Sequence, residues 1–412
     1  MVAAMVAPSF ARPSPSSLED RYERHAGFHV LRLGGTDEEM GYQHGWLLRE
    51  VIPRGPLPAF ARHVSRLLGR GGLLGPAAGA SGLIGAALGR TVGRQLEASY
   101  PARARAALRG LAAGAGLDEG ELLRAVTMPD TFLWAVEQYR KRRGFLPAPR
   151  SGVPTFGCTS VLGWGDATAT GELLHGRNFD YPGVGTWDAE PVVAFHAPSD
   201  GQPYVALTSA GVLLGGITAM NEAGLTLAVH QHLAAAEVDL GGTPIGVLGD
   251  QIMRHARTLD DARRMLDDHR PSAAWTYVIG SALERSVLCY ELTRDRRALV
   301  WPEGDTFAYT NLFLSRRLEG VEQLVYPTGW RHNTGRFHLA TRRLRERHGQ
   351  LDAAAIAAIL GDPGDPRDRL RTAIATLETV ASAVFAPGRS LLYAATGTSP
   401  VSQNPYVAFD LT

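Results

Sequence analysis

Two cysteines stand in a chain of 412 residues, and one is placed where a thiol could do chemistry. Cys158 follows the run RKRRGFLPAPRSGVPTFG (140–157), with four adjacent basic residues, three prolines and three glycines, and it opens the β-like run CTSVLGW (158–164). The first composition reads as an exposed linker and the second as a strand. A thiolate at Cys158 can attack the carbonyl carbon of Gly157 if the peptide is held in a strained turn. A C–S bond forms, the Gly157–Cys158 C–N bond breaks, and water then releases the thioester. Gly157 leaves that carbonyl unhindered and admits unusual dihedrals. The new terminus carries both a thiol and an α-amino group of reference pKa about 7.7–8.0, so nucleophile and base share one residue. Cys289, inside the alternating run SVLCYEL (286–292), reads as a small buried hydrophobe.

Other chemistries lack their residues. The chain has no GxSxG elbow, HExxH, CxxC pair, P-loop or strand-GxGxxG-helix fingerprint. Lys141 is the single lysine, so Schiff-base, pyridoxal-phosphate, Ser-Lys and Walker-lysine chemistry would each have to rest on it, in a solvated basic run. No cofactor is implied. Lys and Arg number 42 against 41 Asp and Glu, so no global field points to nucleic acid or an anionic membrane. The expected partner is a small molecule. Two cysteines cannot build a disulfide framework, which suggests reduced thiols and a cytoplasmic location. The opening MVAAMVAPSFARPSPSS has no basic residues before its apolar stretch and reads as a disordered lead-in, residues 1–20, rather than a signal peptide.

The elements that must position Cys158 are legible in outline. Phe28 to Leu33 alternates like a strand, and Thr36-Asp-Glu-Glu39 is a capping box opening a helix through Tyr42 and Trp46. Gly69 to Arg94, rich in Gly, Ala and Leu, reads as a loop with short helices that could cover an apolar pocket, its glycines, Pro76 and arginines arguing against a membrane span. Ala102 to Leu111 and Glu119 to Arg140 carry helical spacing. After Cys158 the pattern turns to β-hairpins: CTSVLGW with LLHGRNFDY, PVVAFHA with YVALTSA, and GGITAM with LTLAVH around the turn Asn221 to Gly224. Two helices follow, the second capped by Thr258. Then come WTYVIGS, SVLCYEL, TFAYTN, SLLYAAT and YVAFDL, interrupted by helices near Thr334 to Arg347 and Leu351 to Leu360. Antiparallel sheet with helices grouped outside it is an α+β arrangement, α on β on β on α.

The order GCTS, HGRNFD, MNEAGL, YTN, TGRF resembles the isopenicillin N acyltransferase family of cysteine N-terminal-nucleophile (Ntn) hydrolases, and more distantly bile salt hydrolases, penicillin V acylases and acid ceramidases. The segments GGTDEEMGYQHG (34–45) and LRGLAAGAGL (108–117) share in the likeness. The resemblance implies a four-layer αββα sandwich and self-cleavage between Gly157 and Cys158. It implies a mainly helical α-subunit, 21–157, a catalytic β-subunit, 158–412, and an acyl amide or acyl thioester substrate handled through a Cys158 thioester. By the same resemblance Cys158 matches the nucleophile, Asp180 would orient the new amino group, and Arg177 would favour thiolate. Asn311 would help hold the tetrahedral oxyanion, Arg336 would support the site by charge or hydrogen bonds, and His230 would line the pocket.

Two other readings stand beside this one. His230 and His232 could form part of a zinc-dependent hydrolase, although a strand HxH without a third ligand nearby is a weak metal signal. An uncleaved, non-catalytic acyl-binding relative would need no nucleophile. Hydrolysis and transfer share every step up to the thioester, so the sequence leaves them, the acyl group and the oligomeric state open.

Overall fold

The computed structural model describes residues 17–58, 81–141, 157–181, 184–232, 238–319, 321 and 327–411. Residues 1–16 of the lead-in, the first part of the Gly/Ala/Leu-rich stretch and linker residues 142–156 lie outside the described residues. The strands are β1 (Tyr22–His25), β2 (Phe28–Gly35), β3 (Thr159–Gly165), β4 (Gly171–Asp180), β5 (Pro191–Pro198), β6 (Tyr204–Ser209), β7 (Thr218–Asn221), β8 (Leu225–Gln231), β9 (Trp275–Ser281), β10 (Ser286–Leu292), β11 (Arg297–Val300), β12 (Thr306–Tyr309), β13 (Thr379–Ala386), β14 (Leu391–Ala395) and β15 (Tyr406–Asp410). They form a nine-stranded sheet, β1-β2-β5-β6-β7-β8-β9-β10-β11, and a six-stranded sheet, β12-β3-β4-β13-β14-β15. Every pairing is antiparallel except β2 with β5, which runs parallel from His29↔Val192 to Gly35↔Pro198.

The sheets face each other and helices cover their outer sides, which is the expected α+β layering. Between them Leu162, Trp164 and Leu173 meet Val278, Val287 and Cys289. Outside the larger sheet lie α1 (Asp37–Leu48), α2 (Ser81–Ala98), α3 (Ala102–Ala115), α4 (Glu119–Val126), α5 (Met128–Lys141), α6 (Val247–His255) and α7 (Leu259–Asp267). Outside the smaller lie α8 (Pro327–Glu346) and α9 (Ala353–Leu360), where Leu339, Leu344 and Ile356 pack on Val161 and Val384.

The capping boxes at Thr36 and Thr258 form as expected, each side chain accepting from the third residue of its helix. The two glycine-bearing segments in the likeness become α1 and α3, which touch backbone to backbone. A Cβ on Gly41 or Gly45 would strike the main chain of Ala107 to Ala115, and one on Gly110 or Gly114 that of Glu38 to Trp46. Glycines four apart on both helices make this approach sterically possible.

Several expectations change. The stretch read as a loop with short helices is, over its described part, the continuous helix α2, whose Val92 and Leu96 are buried. No helix among the described residues is long and apolar enough to cross a membrane. The second long helix breaks at Thr127 into α4 and α5. Strands β1, β11 and β13 were not foreseen. The N-terminal part is mainly helical, yet it also supplies β1 and β2, and one core joins Phe28 and Leu111 to Phe195, Phe385 and Phe409. Buried Arg254 of α6 adds an ion pair to Asp37 of α1 at 2.6 Å. Position 157/158 divides the chain without dividing the core.

Candidate active site

An antiparallel strand begins where both its neighbours end, and β3 lies between β12 and β4. Cys158, one residue before β3, therefore sits beside Asp180 at the end of β4 and Asn311 just past β12. Cys158 is 4% exposed, and its backbone N–H donates to Asn311 Oδ1 at 2.5 Å. The same oxygen accepts from Arg336 Nη2 at 3.1 Å, while Asn311 Nδ2 donates to the Gln231 carbonyl at 2.7 Å. Two donors on one side and an acceptor on the other fix which way the carboxamide faces.

Arg336 reaches this cluster from α8 and is fully buried. Its guanidinium spans Asp180 Oδ2 at 3.2 Å, Asn333 Oδ1 at 2.9 Å and Asn311 Oδ1. Asp180 Oδ1 accepts from Thr379 Oγ1 at 2.7 Å. The register between β4 and β13 skips Val380, so a bulge stands opposite Asp180 and locally increases the twist. Burial pushes the Asp180 carboxyl up to about 6, against the opposing pull of Arg336, the Thr379 hydrogen bond and Arg177. Burial likewise lowers Arg336, opposed by the charges of Asp180 and Cys158.

Three residues are placed otherwise than their expected roles suggest. Arg177, expected to favour thiolate at Cys158, is fully buried and donates instead to the carbonyls of Asn178 at 2.9 Å and Val229 at 2.7 Å. No ion pair or hydrogen bond joins it to Cys158 or Asp180. The cation that meets Gly157 and Cys158 is Arg336. Asp180, expected to orient the amine, makes no hydrogen bond to Cys158. The nitrogen that scission would free is held by Asn311, and Asp180 and Asn311 both accept from Arg336. His230, expected in the pocket wall, turns into the layer between the sheets. Its Nε2 meets Ser160 Oγ at 2.8 Å, Ser160 reaches His175 Nε2 at 3.2 Å, and burial holds His230 well below the usual histidine range. Its neighbours Val229 and Gln231 line the pocket instead. His232 Nε2 meets Thr276 and Tyr309 hydroxyls at 2.8 and 3.2 Å, and among the described residues no group of three or more His, Cys, Asp or Glu could hold a metal.

Cys158, Asp180 and Asn311 stand at the wall of a pocket of about 890 Å³, part of it open to solvent. Its other walls are almost wholly apolar: Leu57, Leu108, Val126 and Pro129 from the N-terminal part, Phe179 and Trp187, and Val212 to Leu214. Such a chamber favours an uncharged, hydrophobic group set against the thiol. Sequence reasoning missed Thr379, Asn333 and Gln231. Thr379 opens the unforeseen β13, Asn333 lies three residues before Arg336 on one helix face, and Gln231 sits between the two histidines that drew attention.

A family model described as acyl-coenzyme A:6-aminopenicillanic acid acyl-transferase matches residues 168–397, a span that holds Arg177, Asp180, Asn311 and Arg336 and begins after Cys158. An uncharacterized protein of Archaeoglobus fulgidus is 24% identical over 289 residues, 66% of this chain and 45% of that protein, so the chain spans less than half its relative's length. Among solved structures, the Caenorhabditis elegans N-acylethanolamine-hydrolyzing acid amidase ortholog is 15% identical, covering 62% of this chain and 100% of that one, with a TM-score of 0.41. A mutant conjugated bile acid hydrolase from Clostridium perfringens is 13% identical, covering 61% and 92%, with a TM-score of 0.41.

Proposed function

Because the chain belongs to the acyl-coenzyme A:6-aminopenicillanic acid acyl-transferase family, we propose that it is an amide hydrolase or acyltransferase whose nucleophile is Cys158, freed by self-cleavage after Gly157. The observation that carries this reading is the placement of Cys158. Its backbone nitrogen rests on Asn311, the Arg336–Asp180 pair lies beside it, and its residue faces an apolar pocket.

In the first event the Cys158 thiolate attacks the Gly157 carbonyl, the C–N bond breaks as the nitrogen takes a proton, and water hydrolyses the thioester. Residues 21–157 and 158–412 become two subunits that stay together, since both build the core and the pocket. In turnover the freed α-amine takes the thiol proton, sulfur attacks the substrate acyl carbon, and the same proton passes to the departing amine. Asn311 Nδ2 carries a second N–H beyond the one given to Gln231, and that donor suits the oxyanion of the tetrahedral intermediate. The acyl group occupies the apolar pocket until water or an acceptor amine attacks the thioester.

Intact-mass measurement of the wild-type protein beside Cys158→Ala tests the proposal. Two fragments meeting between Gly157 and Cys158 in the wild type alone, with amide hydrolysis lost in the variant, support it. Amide hydrolysis that survives Cys158→Ala overturns it.

A further inference from the structure

A carboxylate taken out of water needs donors or a cation to offset its lost hydration. Glu291, at the end of β10, is fully buried and has no ion-pair partner among the described residues. Its compensation comes from three hydrogen bonds. Oε1 accepts from the Leu314 backbone N–H at 2.6 Å and the Tyr309 hydroxyl at 3.1 Å, and Oε2 accepts from the Ser315 N–H at 3.0 Å. Tyr309 ends β12 two residues before Asn311, and Leu314 and Ser315 follow three and four residues after it. One carboxylate thus gathers both limbs of the bend that presents Asn311. The Tyr309 hydroxyl is itself held within 2.7 Å of Thr276 Oγ1, which ties the arrangement into β9.

We propose that Glu291 is a positioning residue: it clasps the bend on both sides of Asn311 and so sets where the Asn311 carboxamide meets Cys158. This rests on the acyl-transfer reading of the site. Asn311 has to serve two directions at once, its oxygen on the Cys158 nitrogen and its nitrogen on Gln231 with one N–H to spare. Displacing such a group by about 1 Å can cost about 10²-fold in rate. Burial raises the Glu291 carboxyl, while the Leu314 and Ser315 N–H groups, then the charge of His232 and the Tyr309 hydroxyl, oppose the rise, so the bend's donors favour the ionised form together with His232. Gln in this place keeps the volume but turns an acceptor into an NH₂ group facing donors, and the clasp opens on one side.

The test is a double-mutant cycle of wild type, Glu291→Gln, Asn311→Ala and the double variant, all assayed on an N-alkanoyl 4-nitroanilide. The expected result is a loss in kcat on the order of 10-fold for Glu291→Gln with KM nearly unchanged, and no further loss from it once Asn311 is Ala. Equal proportional losses in both backgrounds, or a change in KM alone, overturn the proposal. The rate of Cys158 alkylation by iodoacetamide, which needs no turnover, reads the same cycle with the same two outcomes. Should thermal melting show Glu291→Gln unfolded, Tyr309→Phe takes its place in the cycle, removing one donor and leaving the charge. Hydrolysis that persists in Cys158→Ala overturns the acyl-transfer reading itself, whatever the cycle returns.

Discussion

Arg336 lies against Gly157. A Cβ built on that glycine would come within 2.8 Å of the guanidinium carbon, too close for any side chain. The contact gives Gly157 a second duty beside its open carbonyl, because the cation that binds Asp180 and Asn311 also packs on the residue before the nucleophile. Arg336 is fully buried and fixed by three side chains, so it has little freedom to withdraw.

Gly157→Ala is expected to force that guanidinium away from Asn311 and Asp180. The overpacking should lower stability by about 1–3 kcal/mol, and the rate of self-cleavage should fall by an order of magnitude or more. Gel or mass analysis of freshly made protein over time reads the cleavage, and thermal melting reads the stability.

Asp180 is expected to make both activity and stability depend on pH. Its carboxyl stands near 6 in the folded chain against an ordinary value of 3.8, so ionising it costs the folded state. The stability associated with its protonated form is fully present below about pH 4 and is lost as pH rises to about 6. Asp180→Asn should remove that slope, seen as a flatter melting temperature between those limits. If the ionised Asp180–Arg336 pair is the working form, activity should rise through an acid limb near pH 6. Thr379→Val removes a hydrogen bond that lowers the carboxyl, so the limb should move to higher pH in a kcat/KM profile.

The pocket predicts an acyl preference that side-chain volume controls. Val212 lines the chamber and is half-buried, so Phe can enter there with little disturbance to the core. Val212→Phe should move the preferred alkanoyl chain to a shorter length, with a change of about tenfold or more in relative kcat/KM between long and short amides. Turnover of a chain-length series by both proteins checks it.

The sequence made the local grammar of this fold legible and left its long-range geometry unread. Thr36 and Thr258 announce their helices because a cap is a contact between neighbours along the chain. Hairpins such as β3–β4 were readable for the same reason. Strand β13 was not, since its run TVASAVFA carries three alanines, a residue depleted in strands, where the equally buried β6 and β9 are richer in β-branched and aromatic residues. With β13 went Thr379 and the bulge opposite Asp180. Of the candidate site, Cys158, Asp180, Asn311 and Arg336 do come together. Which of them touch was not readable, because Arg336 is brought to Asp180 from a position 156 residues away and no local pattern records that meeting. His230 differs from its neighbours Val229 and Gln231 only by which side of β8 it takes, and that choice is made by Ser160 on the facing sheet.

The parallel pairing of β2 with β5 has a consequence for how the protein can be remade. A chain that has been cut after Gly157 holds its two pieces by seven strand partners, a shared core and the Asp37–Arg254 pair. Before the cut, unfolding and refolding are events within one molecule. After it, β2 must find β5 on another polypeptide, and recovery depends on protein concentration. Scission would thereby turn a reversible fold into one assembled once and kept by slow dissociation, so that dilution after denaturation would destroy mature protein while sparing an uncut variant.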